Sequence, residues 1–135
     1  MEARAPWPVG IQLVRSEHAA QAFEACRRFS PDGTTPKQAS LRGDCYQLTT
    51  PGGRLVYSAE PQGEVYWVHA AAGTGQGMTE RGLAAIEYQA RQFGCRCVGF
   101  ATARMGLLRK VARLGYQIGQ PYGRGFKVSK DLAHG

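Results

Sequence analysis

The sequence has few acidic residues in its second half, no long hydrophobic run, and none of the cysteine or histidine spacings that hold a metal. Residues 1–70 carry seven Lys/Arg against seven Asp/Glu, and residues 71–135 carry ten Lys/Arg against Glu80, Glu87 and Asp131 alone, so the whole net charge of +7 falls in the second half. No apolar stretch approaches the roughly 18 residues of a membrane-spanning helix. The opening MEARAPWPVG lacks the apolar core of a secretory leader, so a cytoplasmic protein with no membrane partner is expected. Cys26, Cys45, Cys95 and Cys97 form no CxxC pair. Without an export signal they are expected to be reduced thiols, with Cys95 and Cys97 on one face of a shared strand. His18, His69 and His134 stand at no zinc-ligand spacing.

What remains is ordinary globular material: 43% hydrophobic and 20% charged residues in a chain of 135, suited to one domain over 1–135. The basic half predicts an anionic partner: nucleic acid, a phosphorylated cofactor or an acidic protein surface. Tyr116, Tyr122 and Phe126 do not follow the aromatic pattern of the common RNA-binding sheets.

Residues 9–15 (VGIQLVR) predict a strand, with Ser16 capping a helix that has Ala20, Phe23 and Arg27 at helical spacing. Residues 30–44, rich in Gly, Pro, Ser and Thr, predict a loop or one irregular helical turn, long enough to act as a lid or to face a substrate. Strands at 45–50 and 54–60 flank the hairpin signal Pro51-Gly52-Gly53. The apolar 64–69 (EVYWVH) suits a central strand, and a glycine-rich loop follows over 70–78. Residues 79–93 place Leu83, Ile86, Ala90 and Phe93 on an inner helical face and an outer Glu87–Arg91 pair, with Gly94 as the stop. A buried strand at 95–102 leads to a helix at 104–114. Its Leu107, Leu108, Val111 and Leu114 face inward, and Arg109, Lys110 and Arg113 face outward. Short strands at 116–118 and 125–129 close the chain. The fold class is α/β (α+β), with a mixed sheet of about six to seven strands flanked by about three helices.

The turn from strand 64–69 into helix 79–93 carries the chemistry. Gly73, Gly75 and Gly77 permit close backbone approach, and free N–H groups at a helix start favour an anion such as pyrophosphate. No Gly-Lys-Ser/Thr follows, which excludes a Walker A loop. Gly99 and Ala101 stand where a dinucleotide fold places its acidic residue. The stretch from Glu64 to Tyr116 resembles the GNAT superfamily of acyl-CoA N-acyltransferases. The matching features are the loop Thr74-Gly75-Gln76-Gly77-Met78-Thr79, the strand start Gly94-Cys95 and the later turn Leu114-Gly115-Tyr116. Thr74 stands where that family prefers Gln or Arg, Thr79 where it prefers Gly or Ala, and Val111 where many members carry a tyrosine acid. The chain is also similar in size to short, divergent members from phage genomes, some linked to the virion, which would imply a host cytoplasm.

The resemblance implies a single GNAT-like domain that binds acetyl-CoA (coenzyme A) through Val68, Thr74, Gly75, Gln76, Gly77, Met78, Thr79 and Arg104. It also implies transfer of acetyl to the amine of a small molecule or protein. Glu64 is a candidate base by analogy with the glutamate of histone acetyltransferases. His69, beside the loop, is a second, since an imidazole is the commonest general base. Tyr116 and Tyr122 are candidate hydroxyl donors, and Cys45 is a nucleophile without a partner at defined spacing. Two alternatives stand beside the enzyme: a catalytically silent GNAT-fold binding or structural protein, and a nucleic-acid-associated protein using the basic half, although the coenzyme phosphates make nucleic acid unnecessary. Edge strands near the C-terminus are expected to pair in a homodimer.

Overall fold

The computed structural model describes residues 10–132. Val9, the expected start of the first strand, and His134 lie outside them. The elements in chain order are β1 (Ile11–Leu13), α1 (Ser16–Phe23), a 3-10 turn (Glu24–Phe29), α2 (Pro36–Ser40), β2 (Asp44–Thr50), β3 (Gly53–Gln62), β4 (Val65–Gly75), α3 (Met78–Gln92), β5 (Cys97–Thr102), α4 (Met105–Arg113), β6 (Gln117–Tyr122) and β7 (Gly125–Asp131). Seven strands form one mixed sheet in the order β1-β2-β3-β4-β5-β7-β6. Every neighbouring pair is antiparallel except β4–β5. No helix among the described residues is long and apolar enough to cross a membrane.

Alternation along the strands builds a core on each face. Tyr57, Tyr66, Val68, Val98 and Phe100 pack with Ile86 and Ala90 of α3 and with Leu108 and Val111 of α4. Cys45 and Val56 point to the other face and meet Ala19 and Phe23 of α1 and Ala39 of α2. The two faces exchange at one point. Ala59 pairs with Val68 and Ser58 with Ala70, so His69 is an extra residue without a partner in β3. This β-bulge explains why Val68 joins the α3–α4 core while Ala70, two residues on, packs toward α1 and α2.

Several expectations are corrected. Ser16 lies inside α1, and the N-cap position belongs to Arg15, which makes no side-chain cap. The helix gives way to the 3-10 turn at Glu24, where Cys26 leaves helical geometry, so Arg27 is not on its face. The irregular turn expected within 30–44 is a capped helix: the Thr35 hydroxyl accepts from the Gln38 N–H, the Gln38 side chain accepts from the Thr35 N–H, and Pro36 opens the first turn. Residues 70–75 are strand rather than loop, because β3 supplies their hydrogen-bonding partners from Ser58 back to Gly53. Cys95 and Cys97 do not share a face. Cys95 belongs to the turn after α3, where its N–H bonds to the Ala90 carbonyl, and it is buried in the larger core, whereas Cys97 alternates with Val98.

Glu87 makes no pair with Arg91. Its carboxylate accepts from the Tyr116 hydroxyl at 2.8 Å and meets the Lys130 ammonium at 3.3 Å, tying α3 to β7 and to the end of α4. Deeper in the same helix the fully buried Gln89 accepts at Oε1 from the hydroxyls of Tyr57 (2.5 Å) and Tyr66 (3.3 Å). Gln89→Leu leaves the Tyr57 hydroxyl buried without an acceptor and is expected to cost about 1–3 kcal/mol in urea denaturation. Tyr57→Phe should then cost less in the Gln89→Leu background than in the wild type.

Candidate active site

The parallel ladder between β4 and β5 lasts only from Val65–Cys97 to Val68–Phe100. Beyond it β4 follows β3 to Gly75, and β5 follows β7 to Thr102. The two strands part at the bulge residue His69, and a cavity of about 680 Å³ occupies the gap. On the α3–α4 side its wall includes Gln76, Gly77, Met78, Thr79, Leu107 and Val111, and on the α1–α2 side Phe23, Cys26, Phe29, Asp32, Arg42 and Tyr122.

His69 sits at the parting point with a side chain only 9% exposed, and its Nε2 lies 2.7 Å from Glu60 Oε2. A carboxylate only accepts hydrogen bonds, so Nε2 is the donor of this pair, and in the neutral imidazole Nδ1 is an acceptor. Glu60 went unnoticed in the sequence. It lies on β3 across the Gly63-Glu64 turn, and only the register of the β3–β4 hairpin reveals it.

Glu64 is elsewhere. It precedes β4 at an exposed turn, its carbonyl accepts from the N–H groups of Arg96 and Cys97, and its carboxylate lies 3.8 Å from Arg96. Five residues of strand, about 16 Å, separate it from His69, and it does not line the cavity. Glu64 thus lies away from the strand split.

Of the residues expected to hold the coenzyme, Val68, Gly75, Gln76, Gly77, Met78, Thr79 and Arg104 line the cavity and Thr74 does not. Thr74 pairs with Arg54 in the ladder and alternates with Gly73 and Gly75, away from the α3 side. The glycines divide by cause. Gly75 is closed in by the backbone of Gly52 and Gly53, and a side chain at Gly73 would press on Leu55, so hairpin packing explains both. Gly77 instead adopts φ +72° with open space around it and forms the N-cap of α3 without a side-chain cap. The first N–H groups of α3 therefore face the cavity unpaired, at the positive end of the helix dipole. Arg104 is the N-cap residue of α4, and its guanidinium lies 5.5 Å from the Phe29 ring centroid.

The other candidates are engaged in structure. Val111 is fully buried at the cavity wall. Tyr116 is buried, and burial pushes its phenol up, with Glu87 adding to the shift. Cys45 is buried and donates to the Ser40 carbonyl at 3.2 Å. Cys26 lines the cavity with its thiol pushed up by burial. Among the described residues no group of three or more His, Cys, Asp or Glu is placed to hold a metal ion.

The start of the expected lid is pinned down. Ala103 N–H donates to the Phe29 carbonyl at 3.0 Å and Arg124 N–H to the Pro31 carbonyl at 2.8 Å, while the Arg124 guanidinium donates to the carbonyls of Arg28 and Ser30. Gly123, at φ +57°, lies against Pro31 too closely to admit a side chain. Asp32 completes the closure, accepting from Thr34 N–H (3.0 Å), Tyr122 hydroxyl (3.0 Å) and Ser30 hydroxyl (3.2 Å).

Solved acetyltransferase structures share this arrangement of a mixed sheet flanked by helices. Similar solved structures include an IAA acetyltransferase from Bacillus cereus (TM-score 0.67, 14% identity, 90% of this chain and 98% of that one). A Bacillus subtilis acetyltransferase in complex with CoA superposes with a TM-score of 0.64 at 14% identity over 90% of this chain and 97% of that one. An acetyltransferase of the GNAT family from Streptococcus pneumoniae gives 0.55 at 12% identity, over 91% and 98%. No family profile and no curated protein matches the sequence itself. At such identities the likeness is one of fold.

Hydrogen bonds, from Thr34 foremost and then Tyr122 and Ser30, hold the Asp32 carboxyl down to about 2 from an ordinary 3.8. A depressed folded-state pKa contributes stability that is complete above the unfolded value and is lost as pH falls through the folded one. Asp32→Asn is therefore expected to flatten the loss of stability between pH 4 and pH 2, as measured by urea denaturation at stepped pH.

Proposed function

We propose that this protein is an N-acyltransferase that moves an acetyl group from acetyl-CoA to an amine. The observation that carries this reading is the split between β4 and β5, with the His69–Glu60 pair at its apex and an uncapped helix start at its rim. The residues present fit the donor. The N–H groups at Met78 and Thr79 suit a pyrophosphate, and Gln76 and Gly77 leave space beside them. Arg104 and Lys110 bring positive charge to the cavity wall. Past Val68 the β4 edge has no ladder partner in β5, so it can bond the amides of an extended pantetheine arm.

Bound acetyl-CoA would supply an electrophilic thioester carbonyl. His69 accepts the proton of the attacking amine at Nδ1, and Glu60 fixes the imidazole tautomer and stabilises the imidazolium. Val111 can give no proton. A thiol of ordinary pKa, about 8.5, can leave as thiolate, so the chain's contribution is a base without a dedicated acid.

Calorimetric titration with acetyl-CoA tests the reading, and saturating ligand with neither heat nor a thermal shift would refute it. Thr79→Glu puts a negative charge where a phosphate would lie, yet at a helix start where acidic residues are favourable. It is expected to weaken acetyl-CoA binding at least about tenfold with the melting temperature unchanged or raised. His69→Gln should keep that binding while lowering thiol release across a panel of amines by about 10²–10⁴-fold. Glu60→Gln should lower it less.

A further inference from the structure

The cavity passes through the sheet, and its two sides differ in chemistry. Val68 belongs to the α3–α4 core, so Trp67 points to the opposite side, where its ring lies over Gly99. Phe23, Phe29, Trp67 and Tyr122 give this side a lining of four aromatic rings.

Its charges do not balance. Asp32, the carboxylate in the lining, already accepts from three donors. Arg27 is bound at 2.9 Å to Glu24. Arg42 makes one long contact of 3.4 Å, to the Thr34 hydroxyl. Lys127, beside the lining rather than in it, stands 6.0 Å from the Trp67 ring centroid and 5.2 Å from that of Tyr122. Neither Arg42 nor Lys127 takes part in an ion pair among the described residues. Arg42 is near enough to Tyr122 to oppose the effect of Asp32 on its hydroxyl. Two cations beside aromatic rings repel a polyamine and attract an anionic group, and Arg42 offers the planar fork that suits a carboxylate.

Resting on the acyl-transfer reading, we infer that the acceptor is an aralkylamine, its amine carried on an alkyl group beside an aromatic ring, that also bears a carboxylate. Arg42 and Lys127 hold the carboxylate, Phe29, Trp67 and Tyr122 enclose the ring, and the amine meets His69. The donor arm enters from the α3–α4 side and the acceptor from the α1–α2 side, so the two meet at the bulge.

The test compares acetylated products, whose binding needs no turnover. In the presence of CoA, N-acetylphenylalanine is titrated against N-acetylphenethylamine, and N-acetyl-4-(aminomethyl)benzoate against N-acetylbenzylamine, covering two carboxylate spacings. The carboxylated member of at least one pair should bind about tenfold more tightly or better. Arg42→Gln combined with Lys127→Gln should reduce that ratio below about twofold. No preference in either pair, or a preference that survives the double variant, overturns the inference. A preference of this kind, with no thiol released from acetyl-CoA on addition of any free amine, would instead overturn acyl transfer and leave the carboxylate site standing.

Discussion

The early end of the β4–β5 ladder is the constraint on which the site depends. Four residue pairs hold the two strands together, and then each follows a different antiparallel partner. Parallel strands that stay paired leave no room between them. Parted ones leave a channel, with backbone groups on its edges that must find partners. The bulge at His69 marks the parting and turns β4 over, so that its second half serves the α1–α2 face. A histidine at that position stands where the strands part, and the neighbouring strand β3 brings Glu60 to it.

Much of this order was legible in the residues. The strand and helix sequence follows from apolar periodicity, and Gly94 and Gly115 mark ends that have left-handed φ values in the fold. The capping box of α2 was present in Thr35-Pro36-Lys37-Gln38, though the polar composition around it read as loop. Residues 70–75 read as loop for a similar reason: alanine and glycine have little strand preference of their own, and pairing with β3 overrides it. The site was harder to read. His69 was visible from its place at a strand end, but its partner Glu60 depends on hairpin register and a bulge. Glu64 stands at the other end of the strand, and residue type does not tell which end faces the split.

The basic half of the chain divides in the same way. Lys130 serves Glu87 and Arg96 serves Glu64, while Arg124 binds carbonyls of the segment that closes the cavity. Arg104 and Lys110 reach the cavity wall, and Arg109 and Arg113 face solvent on α4. Charge that looked like a uniform surface field is thus spent largely on local tasks, several of them around one cavity.

The far edge of the sheet has a different consequence. The β6 strand is exposed along nearly its whole length, yet its pairing with β7 shifts between Ile118 and Pro121. Pro121 has no N–H to offer on either side. An incoming strand would meet an irregular row of donors with one missing, which blunts the edge as a template for chain-to-chain pairing. The same irregular hairpin carries Gly123 and Tyr122 against the Pro31–Asp32 segment. In one stroke the fold closes its cavity and makes its edge strand β6 a poor seed for aggregation.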